Sequence, residues 1–336
     1  MMSSFNSIEF KNDKLILINQ TKLPLQEEYI KTDKYYRIAE AIENLEVRGA
    51  PAIGVAAAYA LALAFKHKKY SEKYFDTVYN RLASTRPTAV NLFWALEEMK
   101  SVYTQNRESG NLYEILLHKA IEIHQNDIIK CDLMAKNGLK IFDKKSVVLT
   151  HCNTGKLATG GNGTAFNVIS KGFENGLVSH VYADETRPLL QGSRLTAFEL
   201  DKAGIPFSII TDSTAAFLMK QKKVDLVIVG SDRIAVNGDA ANKIGTYNLA
   251  VLCNYHHIPF YIAAPVTTID KSCKTGDDIK IELRNKSEIL EIKGVPVSKG
   301  TYDVFSPAFD ITPSELIKGI ITDSGFYKFP FNFVEI

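Results

Sequence analysis

Apolar positions recur along this chain in two different rhythms. Residues 1–25 hold short extended patches, SIEF and KLILIN, ahead of Pro24, a pattern that predicts a small antiparallel sheet or ribbon. From Lys34 to about Asp132 the spacing is helical. YYRIAEAIENLEV sets its apolar residues three and four apart, PAIGVAAAYALALAF is Ala-rich, and PTAVNLFWALEEMKSVY and NLYEILLHKAIEIHQNDIIKCDLMAKNGLKIF carry the same stripe. After Asp143 the rhythm shortens to β-branched runs, SVVLTH, LVSHVYAD, IPFSIIT, VDLVIVGS and IPFYIAAP, each followed by a polar turn and a helical segment. Strands alternating with helices imply βαβ units and a parallel sheet with right-handed crossovers. The expected fold is α/β: a helical N-terminal domain with a small antiparallel sheet over residues 1–130, then a Rossmann-like parallel-sheet domain over 131–336.

Composition narrows the class. A chain of 336 residues is long for one core, which agrees with two domains. With 40 basic and 38 acidic residues the formal charge is +2, so nothing predicts nucleic acid or an anionic membrane as partner. The longest uncharged apolar run, GVAAAYALALAF at 54–65, is far shorter than the roughly 18 residues of a membrane span and reads as a buried helix. MMSSFNSIEF has neither a basic region nor an apolar core of a secretory signal. The cysteines at 131, 152, 253 and 273 form no CxxC pair and no zinc spacing, which suits a reducing cytoplasm. No metal and no cofactor is expected.

The polar residues at the ends of the apolar runs are the chemical clue. His151 and Cys152 end the first run, Asp184, Glu185 and Arg187 the second, Asp212 and Ser213 the third, and Ser231, Asp232 and Arg233 the fourth. In a parallel sheet such ends share one edge, where ligands bind. A thiol flanked by His151, Asn153 and Thr154 is better suited to reactivity than one among apolar neighbours. Asp232 follows VDLVIVGS, so it either acts as a base or pairs with Arg233.

Gly155, Gly160, Gly161 and Gly163 could cradle a phosphate with backbone N–H groups, although they match neither a Walker A loop nor a dinucleotide fingerprint. Arg48 in RGAPAIG and Arg86 in STRPTAVN each precede a proline suited to a first helical turn, which makes both candidate phosphate clamps. His256 and His257 start no metal motif and fit a helix C-terminus. The charged, irregular stretch from Asp270 to Lys299 reads as a long excursion from the fold, a lid or an interface element.

RGAPAIG, TRPTAVNL, HCNTGKLAT, DETRPLLQGSRLTAFEL, SDRIAVNGDAANKIGTYNLA and PAFDITPSELIKGIIT occur in this order over about residues 45–325. Together they resemble the methylthioribose-1-phosphate isomerases of methionine salvage, in the superfamily that includes regulatory subunits of the exchange factor for translation initiation factor two. The resemblance implies Cys152 and Asp232 as catalytic pair. It implies Arg48, Gly49, Ala50, Arg86, Gln191, Asn242 and Lys243 as binders of the phosphosugar, and a homodimer. Many relatives have HCNAG and an IEER-type segment where this chain has HCNTG and IELR at 281–284.

The implied reaction converts 5-methylthioribose 1-phosphate to its ketose. An aldose 1-phosphate is locked as a phosphate acetal, so its ring opening needs a proton donor at the ring oxygen and a base near C2. Three other readings are a 5-deoxyribose 1-phosphate isomerase, a ribose 1,5-bisphosphate isomerase and a regulatory module without catalysis. The last would have no chemical reason to keep the HCNTG and SDR motifs together.

Overall fold

The computed structural model describes residues 5–87 and 89–336. They form two compact units. One, the helical unit, comprises residues 5–132 and the segment Gly155–Gly163; the other, the sheet unit, comprises Leu133–Thr154 and Thr164–Ile336.

The helical unit opens with an antiparallel ribbon, β1 (Ile8–Lys11), β2 (Lys14–Ile18) and β3 (Tyr29–Thr32). The ribbon extends past Pro24, since its third strand lies beyond that residue. The helices are α1 (Tyr35–Glu43), α2 (Ala50–Ala64), α3 (Glu72–Ala83), α4 (Val90–Gln105) and α5 (Leu112–Gly138). From Ala52 to Ala64 every residue of α2 is buried, the state expected of a helix that is apolar all round. Small residues let α4 approach it closely: a Cβ on Gly54 would meet the Asn91 carbonyl oxygen at 2.8 Å. Ile38, Ile42, Leu61, Phe65, Leu82 and Leu96 anchor the core around α2.

Pro51 lies in the first turn of α2, as expected. Pro87 does not stand in that relation to its helix. α4 starts only at Val90, so Arg86 lies in the turn before the helix and not at its first turn.

The sheet unit alternates strands and helices: β4 (Ser146–Thr150), α6 (Ala165–Glu174), β5 (Val178–Asp184), α7 (Ala197–Lys202), β6 (Phe207–Ile210), α8 (Thr214–Lys220) and β7 (Leu226–Val229). It continues with β8 (Arg233–Ala235), β9 (Ala240–Lys243), α9 (Thr246–His256) and β10 (Phe260–Ala263). Then come β11 (Ile269–Asp270), α10 (Ser287–Leu290), β12 (Glu291–Ile292), β13 (Val295–Pro296), β14 (Phe309–Thr312), β15 (Gly319–Ile321) and β16 (Phe326–Lys328).

Seven of these strands make the main sheet in the order β16-β15-β10-β7-β4-β5-β6, all parallel except β16. From β4 the chain winds outward through β5 and β6, then returns to the other side of β4 as β7. The crevice beyond the carboxyl ends of β4 and β7 is therefore the topological switch point, where ligands of open α/β sheets bind. A second sheet, β11-β8-β9-β14, brings Phe309–Thr312 antiparallel to Ala240–Lys243. Phe331 and Phe333, in the apolar C-terminal segment, are buried in the core of this same unit.

Candidate active site

Cys152 stands just past β4 and Asp232 just past β7, the two neighbouring strands at the switch point. Thr150 ties these strands together near their ends, its hydroxyl donating to the Ile228 carbonyl at 2.8 Å. Of the four cysteines only Cys152 is partly exposed; Cys131, Cys253 and Cys273 are buried. Burial pushes the Cys131 and Cys253 thiols well up, away from reactivity.

Cys152 sits in the left-handed region at φ +64°, unusual for a residue with a side chain. Its backbone is gripped on both sides. The Cys152 N–H donates to the Thr186 hydroxyl at 2.9 Å, and the Thr196 hydroxyl donates to the Cys152 carbonyl at 2.5 Å. Thr186 is itself left-handed at φ +63°, and the Asp212 carboxylate accepts its N–H and that of Arg187, both at 2.8 Å. The Asn153 amide donates to the Glu199 carboxylate at 2.5 Å. Thr186, Thr196, Glu199 and Asp212 thus fix the cysteine turn, and of these only Asp212 stood out in the sequence, as a strand end.

His151, buried beside Asp184, places Nδ1 2.8 Å from Asp184 Oδ2 and Nε2 2.9 Å from the Ile244 carbonyl. Burial pushes the Asp184 carboxyl up to about 6, with His151 opposing the rise. Burial also works against charging His151, but the bond to Asp184 and the field of Asp184 and Asp212 outweigh it and raise its pKa. Among the described residues His151, Asp184 and Asp212 are the one group spaced like metal ligands, within 4.8 Å of one another. Their hydrogen bonds argue for another use: both imidazole nitrogens and both Asp212 oxygens already have protein partners.

Gln191, Asn242 and Lys243 are buried polar residues of the sheet unit. The Lys243 ammonium donates to the Ala308 carbonyl at 3.0 Å and lies 4.8 Å from the Phe309 ring centre. Asn242 donates to the Thr246 hydroxyl at 3.0 Å. Among the described residues Gln191 Oε1 is buried with no hydrogen-bond partner, which marks it as an acceptor awaiting a donor. Arg233 pairs with Asp270 at 3.2 Å.

Arg48, Gly49, Ala50, Arg86 and the glycine segment belong to the helical unit. Gly49 has φ +96°, and a Cβ there would fall 2.4 Å from the Ala158 backbone, so only glycine fits this contact. Arg48 and Arg86 are half-buried.

For Gly160 and Gly161 the phosphate-cradle expectation needs correction. The Gly160 N–H donates to the Asp127 carboxylate at 2.7 Å and the Gly161 N–H to the Thr159 hydroxyl at 3.2 Å. Their missing side chains serve packing, since added Cβ atoms would come within 2.7 Å of the His124 ring and 2.8 Å of Ile128 Cα. The Gly163 N–H is likewise taken, by the Cys131 thiol, so Gly155 remains as the candidate phosphate contact of the segment.

A parallel sheet with a thiol and a carboxylate beyond adjacent strands at its switch point, together with a helical unit bearing an antiparallel ribbon, defines the class as a two-unit α/β protein with an enzyme-like site. Residues 46–329 match the family model described as the initiation factor 2 subunit family. The methylthioribose-1-phosphate isomerase of Geotalea uraniireducens is 47% identical over 330 residues, 96% of this chain and 95% of that one. The crystal structure of 5-methylthioribose 1-phosphate isomerase from Pyrococcus horikoshii OT3 matches with a TM-score of 0.93 at 42% identity, over 98% of this chain and 94% of that one. The structure described as translation initiation factor eIF-2B, subunit delta, from A. fulgidus matches with a TM-score of 0.85 at 39% identity, over 97% of each chain. The chain belongs to the initiation factor 2 subunit family and, within it, to the methylthioribose-1-phosphate isomerases.

Proposed function

We propose that this protein isomerises 5-methylthioribose 1-phosphate to 5-methylthioribulose 1-phosphate. The observation that carries this reading is near full-length identity of 47% to a methylthioribose-1-phosphate isomerase, in a chain that keeps a part-exposed cysteine at its sheet's switch point. A phosphosugar is the substrate class, and no group beyond the chain's own residues is needed for the proton transfers.

In the proposed mechanism the Cys152 thiol gives its proton to the ring oxygen as the bond from C1 to that oxygen breaks. The phosphate ester oxygen stabilises the cation left at C1. Two routes then lead to the ketose. In the hydride route the hydrogen on C2 moves with its electron pair to C1 while Asp232 takes the proton of the C2 hydroxyl. In the enediol route a base removes the C2 proton, C1 is reprotonated, and the C2 hydroxyl gives up its proton. Either way the ring oxygen ends as a hydroxyl, C2 as a ketone and C1 as a methylene, and proton return from Asp232 to Cys152 resets the enzyme.

Arg48, Gly49, Ala50, Arg86, Gln191, Asn242 and Lys243 are proposed to bind the phosphosugar, with Gly155 as a further phosphate contact. The buried, unpartnered Gln191 Oε1 supports a sugar hydroxyl as its partner. Nuclear magnetic resonance of the protein with 5-methylthioribose 1-phosphate tests the reading: the anomeric C1 signal is replaced by a C1 methylene and a C2 ketone. An unchanged spectrum overturns it.

A cytoplasmic homodimer with a Rossmann-like sheet completes the proposal. Among the described residues no helix is long and apolar enough to cross a membrane. Tyr247, Val251 and Tyr255 form an exposed apolar stripe at four-residue spacing along α9, next to exposed Phe217 on α8, which supports an apolar interface. Light scattering reads the mass: two chains at micromolar concentration supports the dimer, and one chain at every concentration refutes it.

A further inference from the structure

The protonation of His151 can be deduced from its partners. The Ile244 carbonyl can only accept a hydrogen bond, so the imidazole Nε2, 2.9 Å away, carries a hydrogen. A neutral ring then has no hydrogen on Nδ1, which lies 2.8 Å from Asp184 Oδ2. For that contact to be a hydrogen bond, either the carboxyl is protonated or the ring is an imidazolium. In both forms the pair holds one proton more than a neutral imidazole beside a carboxylate. Losing it would set two lone pairs against each other in a buried site.

The surroundings retain that proton. Asp212 and Glu185 act on Asp184, and Asp310 faces His151, all of them acidic. Asp184 Oδ1 is buried and has no hydrogen-bond partner among the described residues, an unfavourable position for an ionised carboxylate. Burial raises the Asp184 and Asp310 carboxyls, and His151 is raised as well.

The pair also joins separate parts of the sheet unit. His151 adjoins Cys152 at the end of β4; Asp184 ends β5; Ile244 follows Asn242 and Lys243 of β9. The ring packs on Gly245, where a Cβ would lie 3.1 Å from His151 Cε1 and where φ is +101°. Gly245 is held from the other side by Asp310, which accepts its N–H at 2.7 Å.

We infer that His151 and Asp184 are positioning residues that hold the Cys152 turn against the Asn242–Lys243 strand end through one shared proton, and that loss of this proton contributes to the alkaline fall in activity. The inference rests on the isomerase reading. Asp184→Asn is the discriminating variant, because a carboxamide N–H can donate to Nδ1 while Nε2–H still donates to Ile244. It keeps the clamp and removes the titration. Asp184→Ala leaves Nδ1 without a partner.

The experiment measures kcat and KM against pH for the wild type and both variants. It also follows the ring nitrogens of His151 by 15N resonance, assigned by their loss in His151→Asn. The expected result is near wild-type kcat for Asp184→Asn at neutral pH with the alkaline fall moved to higher pH. For Asp184→Ala a fall of about tenfold or more in kcat is expected, with KM little changed. In the wild type Nε2 stays protonated, and the pair titrates at the midpoint of the alkaline fall. An unchanged alkaline fall in Asp184→Asn overturns the inference, as does an Nε2 without a proton at neutral pH. A wild type without isomerase activity defeats the functional reading instead, and the resonance data still decide whether the proton is shared.

Discussion

The amide of Cys152 donates to the hydroxyl of Thr186 at 2.9 Å, joining two residues that both hold left-handed backbone, at φ +64° and φ +63°. Such conformations are costly for residues with a Cβ, above all a β-branched one, and persist only where the surroundings over-determine them. Here the surroundings are the Asp212 carboxylate, which accepts the Thr186 and Arg187 amides, and the Asp184 carbonyl, which accepts the Thr186 hydroxyl at 3.0 Å. The turn that presents the thiol is therefore built by three successive strand ends.

Thr186→Val keeps the side-chain shape but removes the acceptor for the Cys152 amide. The expected result is a fall in kcat of about tenfold, the effect of an unpaired buried N–H, with KM little changed. Thr186→Ser should restore most of it. Steady-state kinetics on the two variants decides, and a fully active valine variant would remove Thr186 from the account.

Cys152→Ser and Asp232→Asn should each lower kcat by about 100-fold or more, the scale of lost general acid–base catalysis, while leaving the fold intact by circular dichroism. Near-normal turnover in either folded variant excludes that residue from the proton transfers.

Stability at acid pH has a separate origin in the second sheet. Asp239 accepts N–H groups from Ser314 at 2.8 Å and Gly276 at 2.9 Å, and the Asn237 amide at 2.8 Å. Burial opposes its ionisation, but these donors outweigh it and hold the carboxyl below the ordinary value of 3.8. A depressed folded pKa contributes stability that is fully present above the unfolded value and is lost as pH falls through the folded one. Asp239→Asn turns an N–H toward other N–H donors and should cost about 1–3 kcal/mol at neutral pH. Thermal unfolding should show the gap to wild type shrinking below about pH 4. A gap independent of pH would show that the charge of Asp239 is not the cause.

The alternation of short apolar runs and helices was legible because each strand is fixed by its own β-branched residues. SVVLT, LVIV and FYIA fall on β4, β7 and β10. The strand-end residues followed from the same reading, since a parallel sheet puts Cys152, Asp184, Asp212 and Asp232 on one edge. What local pattern could not give is contact over long separations. Phe309–Thr312 pairs with Ala240–Lys243, and His151 reaches Ile244, through geometry that no window of sequence contains. The glycine segment misled for a related reason. Gly160 and Gly161 look like phosphate-binding residues, yet they are glycine because His124 and Ile128 of α5 press against them. No local pattern tells whether the aromatic residues of the C-terminal FYKFPFNFVEI face an interface or a core. Phe331 and Phe333 went to the core because their own unit had apolar surface to cover.

The most direct test of the central claim is kcat/KM for three aldose 1-phosphates that differ only at C5. A methylthio substituent requires an apolar C5 site, and such a site separates a thioether from a methyl by only about 1–3 kcal/mol, so 5-methylthioribose 1-phosphate and 5-deoxyribose 1-phosphate should both turn over, the first faster. Ribose 1,5-bisphosphate should be much poorer, because its second dianion would be desolvated without a partner. A preference for the bisphosphate would contradict an apolar C5 site. No turnover of any of the three would contradict the isomerase itself.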